Sequence, residues 1–321
     1  MPGFTRRELL MSLPLASGAL AQPAPLRVRS LNHFGIAVAD PKRTVEFYQG
    51  LFGLPIAARS DGKTILRIGV GPQFLSIGPL KSGESPRITH YCMGVQRFSP
   101  VSAMSALTSH AVTTANVAVR KSGRQDLIFP DPDDLECQLQ DVSYCGGTGL
   151  LGNVCGAPEA SPRKGLIELQ DISHLTIFCA DAARTNKFYQ DLFGFSIRSY
   201  QGPKSPTLAI GPALQFLMFA SGTSLKPGIN HACMTMEAFK PDVVINALER
   251  FGLKPREKAT SPIAPLRHYI TMRMENRGGA KEGTPELYFT DPDGILMQLQ
   301  DTSYCGGSGV AGNVCPSARA I

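Results

Sequence analysis

Along residues 172–195, ISHLTIFCADAARTNKFYQDLFGF, the apolar positions first form a short strand pattern and then recur at a helical interval. Recurrence every three to four residues marks an amphipathic helix, and Phe188, Tyr189, Leu192 and Phe193 fall on one stripe of it. Asp181 is placed to cap the first free N–H groups, and Gly194 is a glycine stop. A second copy runs over residues 31–54, LNHFGIAVADPKRTVEFYQGLFGL. There Asp40 is the cap, and Pro41 sits at the first helical position, where its missing N–H has no bond to lose. Alternating strands also start at His90 and His231, each followed by a helical pattern, over 99–109 and 241–251. After the helices come short apolar runs bounded by Gly and Pro, at 64–70, 74–77, 117–121, 127–129, 208–210, 215–219, 269–274 and 287–290. These read as strands, so the order strand–helix–strand–strand–strand is expected four times.

The repetition can be dated by its offsets. His33 to His174 and His90 to His231 are each 141 residues apart. Gln138 to Gln298, Cys145 to Cys305 and Cys155 to Cys315 are each 160 apart. The second half therefore carries 19 extra residues, placed by composition in the polar, Pro/Gly-rich stretch 255–285. The expected organisation is an N-terminal domain over 26–155, a linker over 156–165 (GAPEASPRKG) and a C-terminal domain over 166–321.

Composition narrows the partners. A chain of 321 residues that is 43% apolar can build two cores and is not disordered. Its net charge of +6 is mild and no Lys/Arg run follows the start, which argues against a nucleic-acid partner. No apolar run reaches the ~18–20 residues of a membrane span. Residues 1–25 combine Arg6-Arg7, a weakly apolar stretch broken by Pro14, and the small-x-small site Ala19-Leu20-Ala21 before Gln22. This resembles a twin-arginine export signal and predicts a periplasmic or secreted protein. In that compartment the duplicated stretches SYCGGTGLLGNVC and SYCGGSGVAGNVC make Cys145–Cys155 and Cys305–Cys315 disulfide candidates. A glycine-rich phosphate cradle is the weaker reading, because no strand-to-helix context follows.

Four modules with a His on the first strand, and a D-P-D turn before a polar-ended last strand, resemble the vicinal oxygen chelate superfamily. That group includes glyoxalase I, extradiol dioxygenases and bleomycin-resistance proteins, and the resemblance covers about residues 31–301. It implies an α+β fold in which four βαβββ modules pair into two U-shaped mixed-sheet cups. Two paired modules per half in one chain look most like the extradiol dioxygenases.

The resemblance also implies a site. His174 and His231 would hold a divalent metal, with Fe(II) favoured and Mn, Zn or Ni possible. The family's Tyr-x-x-Asp-Pro-x-Gly-x-x-x-Glu fingerprint appears as Tyr288 to Met297 followed by Gln298, so a neutral amide stands where the family has its carboxylate ligand. The first half offers His33, His90 and Gln138 as a second, weaker set, with Ile128 and Asp134 at the fingerprint's Tyr and Gly positions. Tyr288, Tyr269 and His268 are the catalytic candidates, His268 on condition that the extra segment folds over the cup. Cys92 and Cys233 follow His90 and His231 by two, so on a strand they share the face of those histidines, as apolar lining, thiolate ligands or redox groups. The expected function is an exported, divalent-metal-dependent enzyme acting on a small substrate that chelates through vicinal oxygens. The alternatives are a glyoxalase-like lyase or isomerase and a metal-free small-molecule binding protein. No nucleic acid or membrane partner is expected, and a chain with all four modules need not dimerise to complete a cup.

Overall fold

The first module runs β1 (Val28–Val38), α1 (Pro41–Phe52), β2 (Ile56–Ser60), β3 (Lys63–Arg67) and β4 (Phe74–Pro79). The second runs β5 (Arg87–Val95), α2 (Pro100–Ser109), β6 (Asn116–Val119), β7 (Gln125–Pro130) and β8 (Glu136–Asp141). The third is β9 (Asp171–Phe178), α3 (Ala182–Phe193), β10 (Ile197–Tyr200), β11 (Pro206–Ala209) and β12 (Phe216–Ala220). The fourth is β13 (Gly228–Met236), α4 (Pro241–Phe251), the two-residue β14 (Lys254–Pro255), β15 (Arg267–Arg273), β16 (Thr284–Thr290) and β17 (Leu296–Asp301). This computed structural model describes residues 26–259 and 263–316; the export-like segment 1–25 lies outside the described residues.

Local chemistry sets the helix ends. The Asp40 carboxylate accepts from Arg43 N, and that of Asp181 accepts from Ala183 N and Arg184 N. Gly53 and Gly194 close α1 and α3 in the left-handed conformation, at φ 68° and 67°. Helix α1 thus continues past Gly50. Gly50 serves packing: a Cβ there would lie 2.8 Å from the Phe251 ring of α4. The 19 extra residues lengthen the connections on either side of β15 and β15 itself.

Two sheets result. One has the order β2-β3-β4-β1-β5-β8-β7-β6; the other is β10-β11-β12-β9-β13-β17-β16-β15-β14. Pairs β1–β4, β5–β8, β9–β12, β13–β17 and β14–β15 are parallel and the rest antiparallel. The sheets touch at one backbone pair, Ile88 with Ile229. A continuous apolar core under the helices joins the halves and includes Tyr48, Phe52, Tyr91, Phe129, Tyr189 and Phe289.

The D-P-D turns fasten one half to the other reciprocally. Asp293 accepts from Ala39 N and Thr44 Oγ1 and pairs with Arg43 at 2.9 Å, all at the start of α1. Asp133 accepts from Ala180 N and Thr185 Oγ1 and pairs with Arg184 at 3.0 Å, at the start of α3. Cys145–Cys155 and Cys305–Cys315 are disulfides, with Cα atoms 6.4 and 6.3 Å apart. Each closes a small hairpin loop that leads off the last strand of its half and inserts a tyrosine, Tyr144 or Tyr304, into the concave face.

Candidate functional site

In the second half one register row crosses the concave face: Ala209, Phe216, His174, Cys233, Gln298, Tyr288 and Tyr269 on β11, β12, β9, β13, β17, β16 and β15. Residues opposite each other across a ladder share a face, so this row lines the cup floor. His231 lies two residues before Cys233 on β13 and points the same way.

These elements bring His174, His231 and Gln298 together. The two imidazole centroids are 5.6 Å apart at 79°. Gln298 Oε1 is 2.9 Å from His231 Nε2, and the same side chain reaches His174. Phe216 stacks on His174 at 4.3 Å, Tyr304 packs against it at 5.6 Å, and Tyr288 meets His231 edge-on at 5.2 Å. All three polar residues are buried. Burial is the main reason that His231 is pulled down to about 4 and His174 well below its ordinary value. Both rings are therefore neutral near pH 7 and carry one lone-pair nitrogen each.

Among the described residues no three of His, Cys, Asp and Glu gather as an ion-binding group, so any ion in the cup depends on the glutamine. The amide suits that task. Its carbonyl end faces the imidazoles, while the buried Nε2 of Gln298 has no hydrogen-bond partner. Two neutral imidazoles and an amide oxygen form a donor set that fits a divalent ion of borderline character.

A buried charge pair that the sequence reading did not single out lies beside the cluster. Arg273 Nε donates to Glu286 Oε1 at 2.7 Å, and its other nitrogens donate to Gly278 O and Gly307 O. The Tyr288 and Tyr304 hydroxyls each donate to Glu286, both at 3.3 Å. Period-two alternation was the available signal: Tyr269, Thr271 and Arg273 share a face, as do Glu286 and Tyr288.

His268 does not join the site. Tyr269 stacks on Tyr288 at 5.1 Å in the cup, so its neighbour His268 projects to the opposite face. There His268 Nε2 lies 3.3 Å from Glu249 on α4. The extra segment supplies β15 to the cup wall but leaves this imidazole under the helix. Cys92 and Cys233 do lie on the cup rows, and both are fully buried with thiols pushed well above their ordinary range by burial. They are inert lining rather than thiolates.

The first half repeats the row as Arg67, Phe74, His33, Cys92, Gln138, Ile128 and Asn116. His33 and His90 are 5.4 Å apart at 81°, and Phe74 stacks on His33 at 4.2 Å. Gln138 lies beside His33 and Tyr144, and its buried Nε2, like that of Gln298, has no hydrogen-bond partner. The His90 ring lies over Gly35, where a Cβ would sit 2.1 Å from its Cε1. Lys63 adds positive charge near His33, Arg124 is held by Asp126 at 2.8 Å much as Arg273 is held by Glu286, and Ile128 and Asn116 replace the tyrosine pair. The first cup is thus the less favourable place for a cation.

The family model described as the glyoxalase/bleomycin resistance protein/dioxygenase superfamily matches residues 30–133 and 171–299. Among solved structures, the Mn(II)-bound glyoxalase from Novosphingobium aromaticivorans is similar at TM-score 0.58 and 16% identity, over 85% of this chain and 82% of that one. Homoprotocatechuate 2,3-dioxygenase from Arthrobacter globiformis gives TM-score 0.59 and 16% identity, over 86% and 80%. The 2,3-dioxygenase LapB from Pseudomonas sp. KL28 gives 0.60 and 13%, over 92% and 96%. At these identities the likeness to the structures establishes the fold alone. Comparison with curated proteins gives no match.

Proposed function

Because the chain belongs to the glyoxalase/bleomycin resistance protein/dioxygenase superfamily, we propose that its second cup holds a divalent ion and acts on a small substrate with two adjacent oxygens. His174, His231 and Gln298 would be the protein's donors. The observation that carries this reading is the meeting of those three side chains, from β9, β13 and β17, at one buried point. When bound, the ion supplies a double positive charge that three neutral donors leave unbalanced, which selects a substrate that chelates as an anion. Phe216 and Tyr304 exclude water from the His174 side. Tyr288, held by Glu286, presents a phenol on the His231 side, within the wall that a planar substrate would face.

Extradiol-type cleavage of a catechol-like substrate, on iron, is the first reading, supported by the likeness to two 2,3-dioxygenases over most of the chain. A lyase or isomerase is the second, supported by the likeness to a Mn(II)-bound glyoxalase. The paired arginines at 6 and 7 and the two disulfides support export to the periplasm or beyond.

Elemental analysis of the purified wild type beside His174→Ala and Gln298→Ala tests the site. The ion should be lost in the first variant and depleted in the second; unchanged content in both rejects the assignment. Oxygen uptake with a catechol panel on iron-loaded protein separates the readings. Uptake is expected for the dioxygenase, and turnover of hemithioacetals without oxygen would replace it with the lyase.

A further inference from the structure

The residue before each cup histidine is polar, and each turns onto its neighbour's ring. Asn32 Oδ1 is 2.9 Å from His33 Nδ1, and Thr89 Oγ1 is 2.8 Å from His90 Nδ1. Ser173 Oγ is 3.1 Å from His174 Nδ1, and Asn230 Oδ1 is 2.7 Å from His231 Nδ1. Side chains of successive strand residues ordinarily point to opposite faces. Each of the four is the extra residue of a β-bulge, which turns it onto the side of its histidine and brings it to the same nitrogen in all four modules.

We propose that Asn32, Thr89, Ser173 and Asn230 are positioning residues that keep the imidazole proton on Nδ1, so that Nε2 is the bare donor atom in each cup. The direction of the hydrogen bond can be read from the surrounding network. Gly35 O, 3.1 Å from Thr89 Oγ1, can take the one hydroxyl proton, and a hydroxyl so engaged accepts from His90 Nδ1. Asn32 Nδ2 donates to Tyr144 O at 2.8 Å, which leaves its oxygen facing His33, and an amide oxygen only accepts. Asn32 stands in register with Ser173, and Thr89 with Asn230, each 141 residues apart. The second cup therefore repeats the arrangement with the acceptor types exchanged. A neutral imidazole has a single N–H, and in water it prefers Nε2. Held on Nδ1, it leaves an Nε2 lone pair 2.9 Å from the Gln298 amide, close enough for the two to share one ion. In the ion-free protein the amide is reversed, so that its NH2, buried without a partner in the orientation described above, donates to that lone pair.

This inference rests on the proposed ion site for its purpose but not for its test. Two-bond ¹H–¹⁵N spectra of metal-free protein labelled at histidine report the tautomer of each ring. His33, His90, His174 and His231 should all carry the proton on Nδ1. In Asn230→Leu, which cannot accept, His231 should move to the Nε2–H form, and Co(II) affinity should fall about 10–100-fold. Asn230→Asp should keep both the tautomer and the affinity, which a merely structural role would not require. Thr89→Val makes the same test at His90 in the first cup, where the tautomer should switch likewise. An Nε2–H ring at His231 in the wild type, or an unshifted tautomer in Asn230→Leu, overturns the proposal. If the wild type shows Nδ1–H rings yet takes up no Co(II), the ion site fails and the tautomer lock stands.

Discussion

Gln298 is the residue on which the proposed ion site turns. It stands where the resemblance places a charged ligand, and it brings no charge. Its carbonyl faces two neutral imidazoles and its Nε2 is buried without a partner. The negative charge in this cup lies instead on Glu286, held by Arg273 and touched by the hydroxyls of both Tyr288 and Tyr304. Arg273 is only 1% exposed. Replacing it with methionine would leave Glu286 buried and uncompensated, and removing one partner of such a pair typically costs about 3–5 kcal/mol. Denaturant unfolding of Arg273→Met should show a loss of that order. A loss under about 1 kcal/mol, the scale of an exposed pair, would mean the pair is solvated. At this scale the sequence was legible where residue type and register coincide, as for His174, His231 and Gln298. It misled at His268, because the longer fourth module hides the phase of β15, and one residue of phase exchanges cup for helix face. The polar neighbours of the histidines, N-H, T-H, S-H and N-H, were visible in the sequence but carry meaning only once their side chains are seen on Nδ1.

Among the elements, the D-P-D turns show how a family signature can serve packing. Asp291 accepts from Asp293 N and Ile295 N, and Tyr48 of α1 approaches it from the other half. Burial, aided by the charge of Asp293 and opposed by those backbone bonds, raises the Asp291 carboxyl to about 7. A carboxyl raised above its unfolded value binds its proton more tightly in the folded state. Its contribution is thus most favourable below about pH 4 and is lost as pH rises through 7. The melting temperature of wild type should therefore fall more between pH 5 and 8 than that of Asp291→Asn, which keeps the two backbone bonds through its oxygen. Parallel pH profiles would show that Asp291 is ionised in the fold. The helices were legible from caps and stripes, and the long strands from their apolar runs. Strands β2 and β10 were not, being short, partly exposed and without strict alternation. The clasp between D-P-D turns and the opposite helices joins residues up to 254 apart, such as Ala39 and Asp293, and no local pattern announces it.

For the whole molecule, duplication explains both the likeness and the difference of the two cups. The same seven-strand row runs through each, from Phe74, His33 and Gln138 in one to Phe216, His174 and Gln298 in the other. Each is covered by a tyrosine on a disulfide-closed loop, a closure that contributes roughly 2–3 kcal/mol for a loop of this size. The first cup then diverges through Lys63, Ile128 and Asn116, while the second keeps a tyrosine pair; a buried arginine–carboxylate pair, Arg124–Asp126 or Arg273–Glu286, stands beside each. An ion is accordingly expected in the second cup first. Anomalous diffraction from crystals grown with Mn(II) or Co(II) measures this most directly. The predicted result is a peak within bonding distance of His174 Nε2, His231 Nε2 and Gln298 Oε1. A fully ordered second cup with no peak there, or with the three side chains hydrogen-bonded only to one another while the ion binds elsewhere, would contradict it.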